Sequence, residues 1–148
     1  MASAQSSGPI DPYRNFNFRL EIGGVTEAAF FSVQGLAMRI HPIRYRPGGD
    51  GQAVRSLPGP VEYAEVTLRH GLTKSTDLWN WISAIAKGRI ERRNVSILLL
   101  ETDGVTEALR WNLLSAWPCE WHGPALDGLG RDIAFAELKL AYDELRAE

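Results

Sequence analysis

Cysteine occurs once in the 148 residues, at Cys119, so no disulfide can form within the chain and the fold has to stand on packing alone. A single thiol suits a reducing compartment. Long apolar runs are missing too: a stretch such as Ile97 to Leu100 falls far short of the roughly 20 residues a membrane-crossing helix needs. The first residues, MASAQSSGPIDPYR, carry neither the basic start nor the apolar stretch of a signal peptide. The expectation is a chain made and folded in the cytosol, without a signal peptide and without direct membrane anchoring. The Asn94-Val95-Ser96 sequon then carries no meaning. There is no excess of basic charge either. Sixteen Lys and Arg stand against eighteen Asp and Glu, for a net charge of -2, and specific nucleic-acid binding lacks the basic face it depends on.

What the chain has is the make-up of one globular domain: 45% hydrophobic and 23% charged residues, at a length that buries roughly 70% of the unfolded surface. Residues 1–10 read as a flexible leader and 11–148 as a single domain. From Phe16, apolar Phe16, Phe18, Leu20 and Ile22 alternate with Asn17, Arg19 and Glu21, the period of a half-buried strand. Gly23-Gly24 turns the chain, and Ala29, Phe31 and Val33 alternate again up to Gly35. Met38 to Tyr45 reads as a strand whose phase slips around Pro42, a bulge or an edge position. An extended loop at 46–60 follows, then a strand from Val61 to Arg69.

The period then changes. Leu78, Trp81, Ile82 and Ile85 fall at i, i+3, i+4 and i+7, an amphipathic helix with Ser75 or Thr76 as cap and Gly88 just past its end. Trp79 and Trp81 point to different sides of it, so one belongs at a rim or a contact with another chain. Asn94 to Glu101 and Glu107 to Trp117 read as strands of a hairpin around Asp103-Gly104. The tail fits a helix (Ala134, Leu138, Ala141, Leu145) as well as a strand (Ala134, Ala136, Leu138, Leu140, Tyr142). The fold class is mainly β: an antiparallel sandwich or barrel with one flanking helix.

No catalytic, cofactor-binding or metal constellation emerges. His41, His70 and His122 have no partner at a ligand spacing. Cys119 with His122 lacks the third, orienting group a nucleophile and base require, and Cys119 reads as a packing residue. The Gly48-Gly49-Asp50-Gly51 cluster is followed by no Lys-Ser/Thr and no helix, so it is no phosphate loop. Arg89, Arg92 and Arg93, with Glu91 among them, read as a solvated rim. The chain is read as not an enzyme, with no cofactor.

DPYRNFNFRLEI (11–22), FFSVQGL (30–36), YRPGGDG (45–51), LPGPVEY (57–63), VTLRHGLTKSTDLWNWI (66–82), ERRNVSILLLE (91–101) and RWNLLSAWPCEWHGPAL (110–126) together resemble the bacteriophage tail-tube family. That family includes the inner-tube proteins of phage-derived contractile injection systems. The resemblance spans about Asp11 to Tyr142. It implies a barrel like that of the haemolysin-coregulated protein, a strand from Asp132 to Tyr142, and hexameric rings stacked into a hollow tube. It further implies a sheath protein outside the tube, baseplate and spike proteins at its tip, cargo in its lumen, and a place in a virion tail or injection particle.

The long segment then acquires a purpose. Fourteen residues from Pro47 to Pro60 reach roughly 45 Å when extended, against a radius of gyration of about 15 Å for a domain of this length. It is expected to be an arm between subunits, with Gly48, Gly49, Asp50, Gly51, Arg55 and Leu57 at the contact to the next ring. Asn17, Arg19 and Glu21 are the candidates for the lumen face. The alternatives are a tube-initiating baseplate protein of the same fold, a monomeric binding module using the long loop, and a hydrolase using Cys119 and His122.

Overall fold

The computed structural model describes residues 17–23, 25–27, 30–48, 54–72, 76–130 and 133–148. Among them are ten strands and one helix: β1 (Phe18–Ile22), β2 (Val25–Glu27), β3 (Phe30–Gln34), β4 (Met38–Tyr45), β5 (Arg55–Tyr63), β6 (Val66–Gly71), α1 (Asp77–Ala86), β7 (Arg93–Leu100), β8 (Glu107–His122), β9 (Phe135–Ala141) and β10 (Glu144–Ala147). The expected class, mainly antiparallel β with one flanking helix, is what forms.

Eight strands make one antiparallel sheet in the order β2-β1-β7-β8-β9-β6-β3, with β10 also paired to β8. The sixteen residues of β8 are its pivot. The first part of β8 pairs with β7 and β10, and the part from Trp117 pairs with β9. The change of partner falls at Ser115, whose φ of 55° is in the left-handed region. Its N–H donates to Asn94 Oδ1 at 3.1 Å, and the register of β7 on β8 shifts between Arg93 and Val95. A side-chain acceptor thus takes the backbone donor that the bend removes from the ladder.

Folded over this bend, the sheet's two halves close on a single core. Leu20, Ile22, Val95, Ile97 and Leu113 come from one half, and Phe30, Val66, Leu68, Leu138 and Leu140 from the other. The helix seals it with Trp81, while Leu78, Ile82 and Ile85 pack alongside. Trp81 is buried, its indole N–H donates to the Glu91 carbonyl (2.8 Å), and the Arg93 guanidinium lies 4.7 Å from the ring centroid. Trp79 is the exposed member of the pair. The helix follows Thr76, which makes no side-chain capping bond, and gives way to Gly88 at φ +90°, where a residue with a Cβ would be strained.

The chain departs from the sequence reading in several places. On β3 the core residue is Phe30, while Phe31 is half exposed, because a bulge between Phe30 and Ser32 resets the alternation. The strand expected from Val61 to Arg69 breaks at Ala64-Glu65. β8 runs past Trp117 to His122. The tail is a strand, β9, followed by the short β10. The expected loop at 46–60 is strand over its second part: β5 begins at Arg55 and pairs with β4 as a separate two-stranded ribbon. Proline is tolerated there because each ribbon strand has one unpaired edge, and Pro42 sits opposite Pro58. The slip at Pro42 is a bulge, with the register shifting between Ile40 and Pro42.

Candidate assembly surfaces

The ribbon β4–β5 projects from the domain with its apolar residues outside any core. Cross-strand partners share a side of a ribbon. Met38 faces Tyr63, Ile40 faces Val61, and Ile43 faces Leu57. All of these except the partly buried Tyr63 are exposed. His41 and Glu62 make a 2.6 Å contact on the surface. Gly59 is required by close approach: a Cβ there would stand 2.4 Å from the His41 carbonyl oxygen and 2.8 Å from Ile43 Cγ1.

The base of the ribbon is fixed to the domain. The Ala64 N–H donates to the Ala37 carbonyl (3.0 Å), and the Tyr142 hydroxyl donates to the Ala64 carbonyl (2.5 Å). The Tyr142 ring also meets Tyr63, with centroids 5.9 Å apart. Burial, and after it the nearby Tyr63, raise the Tyr142 phenol above its ordinary pKa, so it stays protonated as a donor. Gly35 turns into β4 at φ +95°, where a Cβ would lie 2.5 Å from the Glu65 carbonyl oxygen. Of the residues expected at the contact, Gly48 and Leu57 are exposed on this arm, and so is Arg55 at the start of β5. Gly49, Asp50 and Gly51 lie outside the described residues.

A second surface is the outer face of β1, β7, β8 and β10. Register lines up Arg19, Leu98 and Arg110 in one row, and Glu21, Ser96, Asn112 and Arg146 in the next. The opposite face of the same strands carries Leu20, Ile97 and Trp111, then Ile22, Val95, Leu113 and Leu145. Arg19 and Glu21 therefore belong to a continuous polar wall, and Asn17 continues their alternation while its carbonyl accepts from the Leu100 N–H (2.7 Å). Arg110 is the hub, 2.7 Å from Glu107, 3.7 Å from Glu21 and 4.0 Å from Glu148. Its hydrogen bond holds the Glu107 carboxyl below the ordinary range, and Glu107 raises Arg110 in return. Arg146 does the same for Glu144. Leu98 is completely buried although strand register places it on this face, between Arg19 and Arg110. The partners of Arg19 and Glu21 could not be read from the sequence, since register decides them.

A third feature is an apolar groove of about 790 Å³ between β1, β7 and β3, with Phe18, Phe31, Val33, Leu36, Leu99 and Trp111 in its lining. β3 is the last strand of the sheet among the described residues. Sequence alternation gave no sign of this groove, because its residues belong to strands far apart in the chain.

Chemistry is not assembled at any of these places. Among the described residues no group of His, Cys, Asp and Glu could hold a metal ion. Partial burial of the sulfur and then the Glu65 carboxylate push the Cys119 thiol above its ordinary pKa, away from the reactive thiolate. The Cys119 Sγ contacts the Lys139 carbonyl (3.4 Å), while His122 is engaged with Glu120 (2.7 Å).

Known proteins share this arrangement. A chain in the sheath–tube complex of the PVC extracellular contractile injection system, in its extended state, superposes with a TM-score of 0.84 at 28% identity, covering 93% of this chain and 91% of the other. A chain in the PVC sheath/tube terminator gives 0.87 at 27% identity, covering 95% and 99%. Hcp1 from Flavobacterium johnsoniae, at 12% identity, shares the fold with a TM-score of 0.61 over 88% and 93% of the two chains. No curated protein matches the chain significantly. Residues 14–146 match the family described as T4-like virus tail tube protein gp19. With nearly its whole length in that match, and with relatives of the same fold from contractile injection machinery, this chain belongs to the T4-like tail tube protein family.

Proposed function

We propose that this chain is the repeating subunit of a hollow inner tube, closing into hexameric rings that stack and are driven outward when a surrounding sheath contracts. The observation that carries the reading is the ribbon β4–β5. Its apolar cross-strand pairs are left outside the chain's own core, and an isolated two-stranded ribbon is marginally stable in water. A neighbouring copy gives those side chains a place to be buried.

Ring closure accounts for the sheet ends as well. β2 ends the strand path at one side of the polar wall and β10 flanks β8 at the other, and strand edges pair with other chains unless they are blocked. Joined around a ring, the wall bearing Asn17, Arg19 and Glu21 becomes the lumen surface. Arg19, Arg110 and Arg146 are offset there by Glu21, Glu107, Glu144 and Glu148, so the lumen carries no strong field of one sign. Sheath, baseplate and spike proteins and lumen cargo are the partners, and the chain is made in the bacterial cytoplasm for a virion tail or injection particle. The arm contacts the next ring through Gly48 to Leu57, with Asp50 and Arg55 making polar contacts. Deleting residues 49–56 is expected to leave soluble rings that do not stack, whereas normal tubes from that deletion in electron micrographs would rule the arm out.

A second reading is a single ring at one end of a tube. It is favoured by the similarity to a chain of the PVC sheath/tube terminator, which this chain covers over 99% of its length. Copy number per particle separates the two: one ring for the terminal role, many for the tube.

A further inference from the structure

Two breaks in the strand ladder face each other. β8 pairs with β10 as far as Leu114 and with β9 from Trp117, which leaves Ser115 and Ala116 opposite Tyr142 and Asp143, the two residues between β9 and β10. Ser115 holds a left-handed φ of 55°, a costly conformation for a residue other than glycine, so the bend needs something to keep it. Both breaks are fastened by residues 92–94. Asn94 Oδ1 takes the Ser115 N–H (3.1 Å), and Arg92 Nη1 stands 3.2 Å from each carboxylate oxygen of Asp143. The Asp143 N–H donates to the Leu114 carbonyl (2.9 Å). Arg92, Asn94 and Asp143 are all exposed, so these bonds add nothing to the core. Tyr142, next to Asp143, is the residue that ties down the foot of the ribbon through the Ala64 carbonyl and the Tyr63 ring.

We propose that Arg92 and Asn94 are positioning residues for the ribbon: by pinning the bend of β8 and the break at Asp143 they fix Tyr142, and through its hydroxyl the Ala64 carbonyl at the ribbon's foot. Tyr142 and Asp143 share one planar peptide unit, so a shift of Asp143 is passed to Tyr142. β4 runs eight residues out from that foot, roughly 26 Å, and a small change of angle at the foot is magnified along its length. The start of β7, on the sheet that carries the polar wall, thereby sets the direction in which the ribbon points. This coupling operates within one chain, so it holds or fails independently of the tube reading.

The test is amide hydrogen exchange on the full chain, comparing the ribbon's foot, Val61 to Glu65, with the ladder strand Ala136 to Leu140. Wild type and variants are measured in the same oligomeric state, checked by sedimentation. Arg92→Gln breaks an exposed ion pair and is expected to speed exchange at the foot about two- to fivefold, with the ladder unchanged. Asn94→Ala is expected to act in the same direction and more strongly, while Asn94→Asp keeps an acceptor for Ser115 and stays near wild type. In a Tyr142→Phe background Arg92→Gln is expected to add little, because the link it acts through is already cut. Unchanged exchange at the foot in both Arg92→Gln and Asn94→Ala overturns the proposal. Equal acceleration at the foot and the ladder overturns it too, since the two residues then serve general stability alone. So does an undiminished effect of Arg92→Gln in the Tyr142→Phe background.

Discussion

Val66 and Leu68 on β6 are completely buried, whereas Leu57 and Val61, on the strand just before it, are each 48% exposed. Only Ala64 and Glu65 separate these strands, and the residue types are the same. The difference lies in what stands opposite. β6 is clasped between β3 and β9, and its inward side chains meet Leu138 and Leu140 of the core. Among the described residues, β5 pairs with β4 alone. Apolar area removed from water contributes about 25 cal/mol per Å² wherever it is buried. The domain collects that contribution while folding, and in the proposed assembly the ribbon collects it when a second molecule covers it. The domain is thus specified by its own sequence, and under the proposed assembly the ribbon is specified by the sequence of its neighbour.

Substitutions can break this contrast, and they rank by their effect on the isolated chain. Leu138→Ala on β9 removes a fully buried side chain and is expected to cost about 2–5 kcal/mol in chemical denaturation. Tyr142→Phe deletes the hydroxyl that donates to the Ala64 carbonyl and is expected to cost about 0.5–1.5 kcal/mol. Faster amide hydrogen exchange at the foot of the ribbon, with the β6–β9 ladder unchanged, would locate that loss. Ile43→Ser with Leu57→Ser is expected to shift the stability of the isolated chain by less than about 0.5 kcal/mol and yet to abolish assembly, read by sedimentation. An equal loss of stability in the ribbon and core variants would erase the distinction between the two regions.

The smallest effect concerns the polar wall, is present at neutral pH and disappears in acid. The Glu107 carboxyl is held below its ordinary value by Arg110, so it releases its proton more readily folded than unfolded. Its contribution is present above the unfolded value of about 4.3 and is lost as pH falls through the lower folded value. Glu107→Gln is expected to lower stability slightly at neutral pH and to leave it unchanged well below the carboxylate range, so that the acid limb of the stability curve flattens. An NMR titration of Glu107 at or above the ordinary carboxylate value would contradict the pairing.

Much of the domain was legible because burial imposes periodicity. Leu20 and Ile22 alternate with Arg19 and Glu21 since one face of β1 meets the core, and Trp81 and Ile82 mark the inner face of α1 for the same reason. The slip at Pro42 showed as a break in that rhythm. The part of β5 from Arg55 to Pro60 was missed because among the described residues only β4 pairs with it, so it leaves no inward stripe among the glycines and prolines, and only Val61 to Tyr63 fell within an expected strand. β10 was missed because Glu144 to Ala147 is short and half charged. The bend in β8 carried no signal at all: Ser115 takes a conformation that glycine or asparagine would have announced. Of the candidate surfaces, the Arg19–Glu21 alternation was visible, while Arg110 and Arg146 joined it only through strand register.

The central claim is that the exposed ribbon belongs to an assembly of copies. Negative-stain microscopy of the purified wild-type protein at micromolar concentration tests it most directly. The account expects annular particles or stacked tubes with a central channel. A uniform field of single, separate molecules would contradict it.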